Sequence, residues 1–134
     1  MKVMALDYGA ARTGVAVSDP TGTIARPLGI VERAASESGL ARLAELARAE
    51  DVDRVVVGLP LTLRGDVGDQ ARETQAFVDS LRPLVGVPVE MWDERFTTAL
   101  AAAGGAASRH SEEDARAAAH LLSSYLAWAS RDAG

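Results

Sequence analysis

Val3-Met4-Ala5-Leu6-Asp7-Tyr8-Gly9-Ala10-Ala11-Arg12-Thr13-Gly14-Val15-Ala16-Val17-Ser18-Asp19-Pro20-Thr21-Gly22 contains two short apolar runs separated by a polar, glycine-bearing connection. Val3–Leu6 is unbroken and brief, which suits a strand buried on both faces. It stops at Asp7-Tyr8-Gly9. Val15–Ser18 reads as a second strand. Asp19-Pro20-Thr21-Gly22 is a strong turn signal, and a third extended run follows from about Thr23 to Val31. Three strands joined this closely predict an antiparallel meander.

The rest of the chain alternates. Ser36 is placed to cap a helix in which Leu40, Leu43, Ala44, Leu46 and Ala47 recur at helical spacing. Val55-Val56-Val57 predicts another buried strand, ended by Gly58-Leu59-Pro60. Arg64-Gly65-Asp66 and Gly68 mark a loop. Thr74, Phe77, Val78 and Leu81 then give an amphipathic helix with Pro83 near its end. Val87–Trp92 predicts the last strand, which runs into Asp93-Glu94-Arg95. After an alanine-rich stretch and a hinge at Gly104-Gly105, a final helix is expected over 111–130. Its apolar stripe is Ala115, Ala118, Ala119, Leu122, Tyr125 and Leu126, and Ser111-Glu112-Glu113-Asp114 fits a capping box. Meander, helix, strand, helix, strand, helix implies a mixed α/β sheet with parallel crossovers and helices packed on it.

Length and composition narrow the function. A chain of 134 residues is read as one domain, 1–134. It has no cysteine, which excludes disulfide frameworks, thiolate zinc sites and cysteine nucleophiles. The apolar run at the N-terminus is too short for a signal peptide, and no segment is long enough to span a membrane, so a cytoplasmic protein is expected. The net charge of −5 opposes binding to a polyanion. Against that, thirteen of the fourteen cations are arginine, the better fork for phosphate oxygens.

Three acidic positions stand out by their place in the pattern. Asp7 closes the first buried strand, Asp93 and Glu94 close the last, and Asp114 opens the final helix. Carboxylates gathered at one end of a sheet repel unless a cation joins them. Magnesium takes hard oxygen ligands of this kind and completes its shell with water and substrate phosphate. Two such ions about 4 Å apart would serve an in-line displacement at phosphorus. Gly9, Gly14 and Gly58 would let a phosphate-bearing substrate approach the backbone. Each feature also has an ordinary reading. Asp-Tyr-Gly after a strand makes a turn, Asp93-Glu94 a solvated strand end, and Asp114 a partner for the helix dipole. Arg12, Arg64, Arg95 and Arg109 taken singly read as surface charges.

Together the motifs resemble the YqgF (RuvX) family of Holliday-junction-resolvase-like nucleases, also proposed to process pre-16S rRNA. The resemblance rests on Leu6 to Asp19, on Val56-Val57-Gly58-Leu59-Pro60-Leu61 with Gly65 and Gln70-Ala71, and on Asp93-Glu94-Arg95-Phe96-Thr97-Thr98. It continues through Asp114, Ala117-Ala118, Leu122 and Tyr125-Leu126. It covers almost the whole chain in order. It implies a ribonuclease-H-like fold, a mixed five-stranded sheet ordered 3-2-1-4-5 and flanked by helices. It also implies a metal site for Mg2+ or Mn2+, two ions, at the carboxyl ends of the strands. Asp7, Glu94 and Asp114 would be catalytic, and Asp7, Asp93, Glu94 and Asp114 the metal ligands. Within the pair, Glu94 is favoured as ligand and Asp93 as support. Arg12, Arg64, Arg95, Thr97 and Arg109 would contact nucleic acid. The family's basic stretch before the last aspartate is replaced here by Ser108-Arg109-His110-Ser111-Glu112-Glu113, which puts acids beside Asp114.

The expected activity is a metal-dependent endonuclease on structured RNA or branched DNA, leaving 5′-phosphate ends. Pre-16S rRNA ends and Holliday junctions are the expected substrates. Expected partners are nucleic acid and ribosome-assembly factors, with no membrane, in a monomer or homodimer. Two rivals differ in class. A non-catalytic module binding nucleic acid or an assembly factor would tolerate loss of Asp7. A nucleotide-binding lobe related to actin-like ATPases would bind nucleotide, although such proteins close two lobes and this chain has length for one.

Overall fold

The structure, a computed structural model, describes residues 1–60, 64–94 and 110–133, with the helix ends at 110–112 and 131–133 described by backbone alone. Strands β1 (Val3–Asp7), β2 (Arg12–Ser18) and β3 (Ala25–Glu32) are followed by helix α1 (Glu37–Ala49) and strand β4 (Arg54–Leu59). Helix α2 (Asp69–Val85), strand β5 (Val89–Asp93) and helix α3 (His110–Ala133) complete the order. The five strands form one sheet, β3-β2-β1-β4-β5. β1 pairs antiparallel with β2 and β2 with β3, whereas β1–β4 and β4–β5 are parallel. The meander, the crossovers and the strand order all match the sequence reading.

Local chemistry explains the joins. The Asp19 carboxylate accepts from the amides of Thr23 and Ile24 at 2.8 and 2.9 Å and from the Thr21 hydroxyl, which closes the β2–β3 turn. These donors hold the Asp19 carboxyl well below its ordinary value. Ser36 caps α1 by accepting from the Gly39 amide at 3.1 Å. Gly86 ends α2 in the left-handed conformation that glycine adopts without cost. Pro83 stays inside α2, near its end. The last helix begins at His110, one residue before the cap expected at Ser111, and runs to Ala133, past its expected end. The last strand begins at Val89 rather than Val87, although the Pro88 carbonyl already accepts from Val55. The hinge expected at Gly104-Gly105 lies outside the described residues.

The strand alternation sorts the core onto two faces. Met4, Leu6, Val15, Val17, Val55 and Val57 pack with Leu43 of α1 and Phe77, Val78 and Leu81 of α2. Val3, Ala5, Ala16, Val56 and Trp92 face the other way, against Ala118, Leu121, Leu122, Tyr125 and Leu126 of α3. β1 is therefore buried on both sides, as its unbroken apolar run implied. Among the described residues no helix is long and apolar enough to cross a membrane.

Leu122 is fully buried in the α3 face. Leu122→Ala should cost about 2–5 kcal/mol of stability, read as a lower urea midpoint with an unchanged slope. A loss below half a kcal/mol would mean that α3 is not packed as described.

Candidate active site at the carboxyl ends of the strands

Period-two alternation along β1 places Asp7 on the same face as Val3 and Ala5, the face covered by α3. The same rule along β5 puts Trp92, and then Glu94, on that face, leaving Asp93 on the other side of the strand. Of the two adjacent acids, Glu94 reaches Asp7. Their carboxyls are hydrogen-bonded to each other. Glu94 also packs over Gly58 of β4, where a Cβ would lie 2.6 Å from Glu94 Oε1 and 2.4 Å from Leu121 Cδ1.

Asp114 arrives from the opposite side. Asp7 pairs with Gly14 across the β1–β2 ladder. α3 crosses Gly14 so closely that a Cβ there would sit 1.9 Å from the Asp114 carbonyl oxygen. The missing side chain at position 14 is what lets Asp114 settle next to Asp7, whose pKa its charge raises. The Asp114 side chain is already engaged: its Oδ2 accepts from Arg12 Nε at 2.9 Å. Arg12 projects from the first residue of β2, at the far end of the β1–β2 connection. That connection is tied together by Thr13, whose buried hydroxyl bonds the amide and carbonyl of Gly9, both at 3.4 Å.

The electrostatics follow from burial and repulsion. Glu94 is pushed up to about 8, first by burial, then by its hydrogen bond to Asp7 and the charges of Asp7 and Asp93. Asp7 is raised by burial and by Asp114, opposed by the hydrogen bond from Glu94. The pair therefore shares a proton, with Glu94 as the donor. Among the described residues no three His, Cys, Asp or Glu side chains stand close enough to enclose a metal ion. Asp7 and Glu94 are in contact, while Asp114 is held to Arg12.

A cavity of about 240 Å³ opens beside the pair, lined by Asp7, Tyr8, Gly9, Pro60, Glu73 and Glu94, with Gln70 and Thr74 at its α2 wall. Tyr8 is fixed there by stacking on Phe77, with ring centroids 4.4 Å apart. The spacing Gln70-Glu73-Thr74 puts three polar side chains on one face of the first turns of α2. That was the available sequence signal for this wall, and sequence reasoning did not use it. The idea that Gly14 and Gly58 leave room for substrate is corrected. Protein atoms fill the places at Gly14 and Gly58, whereas Gly9 lines the cavity and only its Cβ direction is blocked, by the Arg12 carbonyl at 2.5 Å. Arg64 is exposed in the loop before α2, and Arg95, Thr97 and Arg109 lie outside the described residues. A larger groove of about 610 Å³, near Met1, Arg54, Glu90 and Trp128, includes none of the candidate residues.

A family model described as RuvX, Holliday junction resolvase, matches residues 1–128. The chain belongs to the RuvX family. Among its relatives, a protein of Roseiflexus sp. (strain RS-1) named "Putative pre-16S rRNA nuclease" is 49% identical over 100 residues, 75% of this chain and 71% of the relative. A protein of the same name from Desulforudis audaxviator (strain MP104C) is 42% identical over 132 residues, 94% of each chain. Among solved structures, T. thermophilus RuvC in complex with a Holliday junction substrate superposes with a TM-score of 0.59. It has 18% identity and covers 96% of each chain. At that identity the likeness shows the fold, which is ribonuclease-H-like. Family and relatives together give this RuvX chain a nuclease role.

Two outcomes are expected. Gly14→Ala forces the first turns of α3 off the sheet, because the atoms in the way are backbone. It should destabilise by about 1–3 kcal/mol in chemical denaturation, as overpacking does. The second concerns pH. Between 4.5, the ordinary value for Glu94, and about 8, the folded chain holds a proton that the unfolded chain releases. Stability should therefore fall as pH rises through that window. In thermal melts with EDTA, wild type should lose several degrees more than Glu94→Gln between pH 5 and pH 8.5; parallel curves would refute the shared proton.

Proposed function

We propose that this chain is a divalent-metal-dependent endonuclease hydrolysing phosphodiester bonds in structured nucleic acid, with pre-16S rRNA ends as the leading substrate and branched DNA the second. The observation that carries this reading is the contact between Asp7 and Glu94, half-buried at the carboxyl ends of β1 and β5 beside Asp114. Two carboxyls that must share a proton when alone are a donor set that a hard cation relieves. Asp7 and Glu94 would hold Mg2+ or Mn2+ directly, with Asp114 joining and Asp93 supporting Glu94 from behind. Bound there, such ions supply activation of water and stabilisation of the leaving oxygen in an in-line displacement.

The remaining residues bind and orient. Arg12 stands at the mouth of the site, exposed enough to meet a phosphate. Arg64, Arg95, Thr97 and Arg109 are the further candidates for backbone contacts. Tyr8 on Phe77 makes a rigid wall, and the cavity beside Asp7 has room for a phosphate group and water. The relatives' name favours pre-16S rRNA, and the family description favours the four-way junction.

The test is cleavage of pre-16S rRNA fragments and four-way DNA junctions with Mg2+ or Mn2+, wild type beside Asp7→Asn. Losing a ligand should lower the rate by more than the about 10–100-fold that follows loss of an outer-shell partner. Cutting that survives in Asp7→Asn would discard this site, and binding without cutting by wild type would favour a non-catalytic module.

A further inference from the structure

We infer that Arg12 is an internal counter-cation for Asp114, holding it away from the metal site until a phosphate draws the guanidinium off. This inference rests on the metal-dependent reading above. Three observations lead to it. Arg12 Nε donates to Asp114 Oδ2 at 2.9 Å, joining the start of β2 to the first turns of α3. The backbone of Asp114 is locked over Gly14, directly across the ladder from Asp7, so its carboxylate can change partner without α3 moving. Yet Asp7 and Glu94 meet without it, and no third carboxylate closes a cage among the described residues. The acid is in place and its charge is spent elsewhere.

The pair is also exchangeable. Its side chains are 40% and 31% exposed, so solvent screens it and makes it weak. A guanidinium has a natural competitor in a phosphate oxyanion, which it grips with the same fork. Once Arg12 turns to phosphate, the Asp114 carboxylate loses its counter-cation and is free to turn to a cation beside Asp7. The affinity of the site for a divalent cation then rises. By linkage, cation and phosphate each strengthen the binding of the other. Arg12 acts here through Asp114, as a positioning residue.

The experiment is calorimetric titration of the full chain with Mn2+ alone, comparing wild type, Arg12→Gln, Asp114→Asn, the double variant and Asp7→Asn. Arg12→Gln should bind Mn2+ up to about fivefold more tightly than wild type, the range of an exposed ion pair released. Asp114→Asn should bind more weakly, and adding Arg12→Gln to it should restore nothing. Adding sulfate as a phosphate-like oxyanion, against chloride at equal ionic strength, should tighten Mn2+ binding by wild type and leave Arg12→Gln unchanged. An unchanged or weaker affinity in Arg12→Gln overturns the inference, as does a gain that persists without Asp114. A wild type indifferent to sulfate overturns the handover to phosphate. If wild type and Asp7→Asn fail alike to bind Mn2+, the metal-dependent reading itself falls; if Asp7→Asn alone fails, that reading stands whatever Arg12 does.

Discussion

Helix α3 crosses β2 with no room for a side chain at Gly14, and the arrangement of the acidic end depends on that approach. The sheet can bury its second face only if a helix lies close upon it, and the residues at the crossing are small. Ala5, Ala16 and Ala118 are all fully buried there. Close packing of this kind leaves little freedom to slide, because a shift of one methyl group is felt throughout such an interface. Fixing α3 on β2 fixes Asp114 relative to Asp7, through the ladder partner that the two share. The hydrophobic core on one side of the sheet thus sets the spacing of charges at its end.

Charge is arranged against the overall balance of the chain. Arg42, Arg72 and Arg82 are each paired with an acid three residues away on the same helix. Lys2 and Arg26 share Glu50, and Arg54 is divided between Glu90 and Tyr125. Little of the cationic charge in these pairs is left for a polyanion. A net charge of −5 also opposes the approach of a polyanion at long range. On the proposed reading, recognition would act at short range, through Arg12 beside Asp114 and through cations held by the carboxylates.

Much of this was legible in the residues. The unbroken Val3–Leu6 run gave a central strand, Asp19-Pro20-Thr21-Gly22 gave the turn, and Ser36 gave the start of α1. The acids at strand ends were visible for the same reason, since an acid that ends a buried run is conspicuous. Period-two counting from Trp92 also bears on the Asp93-Glu94 pair: it points Glu94 to the α3 face, once α3 is known to cover that face. What pattern could not supply was distance between segments remote in sequence. Arg12 and Asp114 stand 102 residues apart, and no local rule joins them. The glycines misled for a related cause. A missing side chain marks close approach, but sequence does not say what approaches, and here it was the protein's own helix, a leucine and a glutamate.

The strength of the Arg12–Asp114 pair bears on how three acids can stand together at one end of the sheet. Three half-buried acids near one another would repel unless something offset their charge. A proton does so between Asp7 and Glu94, and a guanidinium does so for Asp114. Both counter-charges are provisional. A proton held at about 8 is close to neutral pH and would leave readily were a divalent cation to bind there. An exposed ion pair contributes at most about 1 kcal/mol, small beside the attraction of two carboxylates for a divalent ion. A deeply buried pair would have carried a large desolvation cost and, once formed, held Asp114 too firmly to release it. Weakness in the pair is therefore what would let Asp114 change partner, as the proposed metal site requires, without α3 moving.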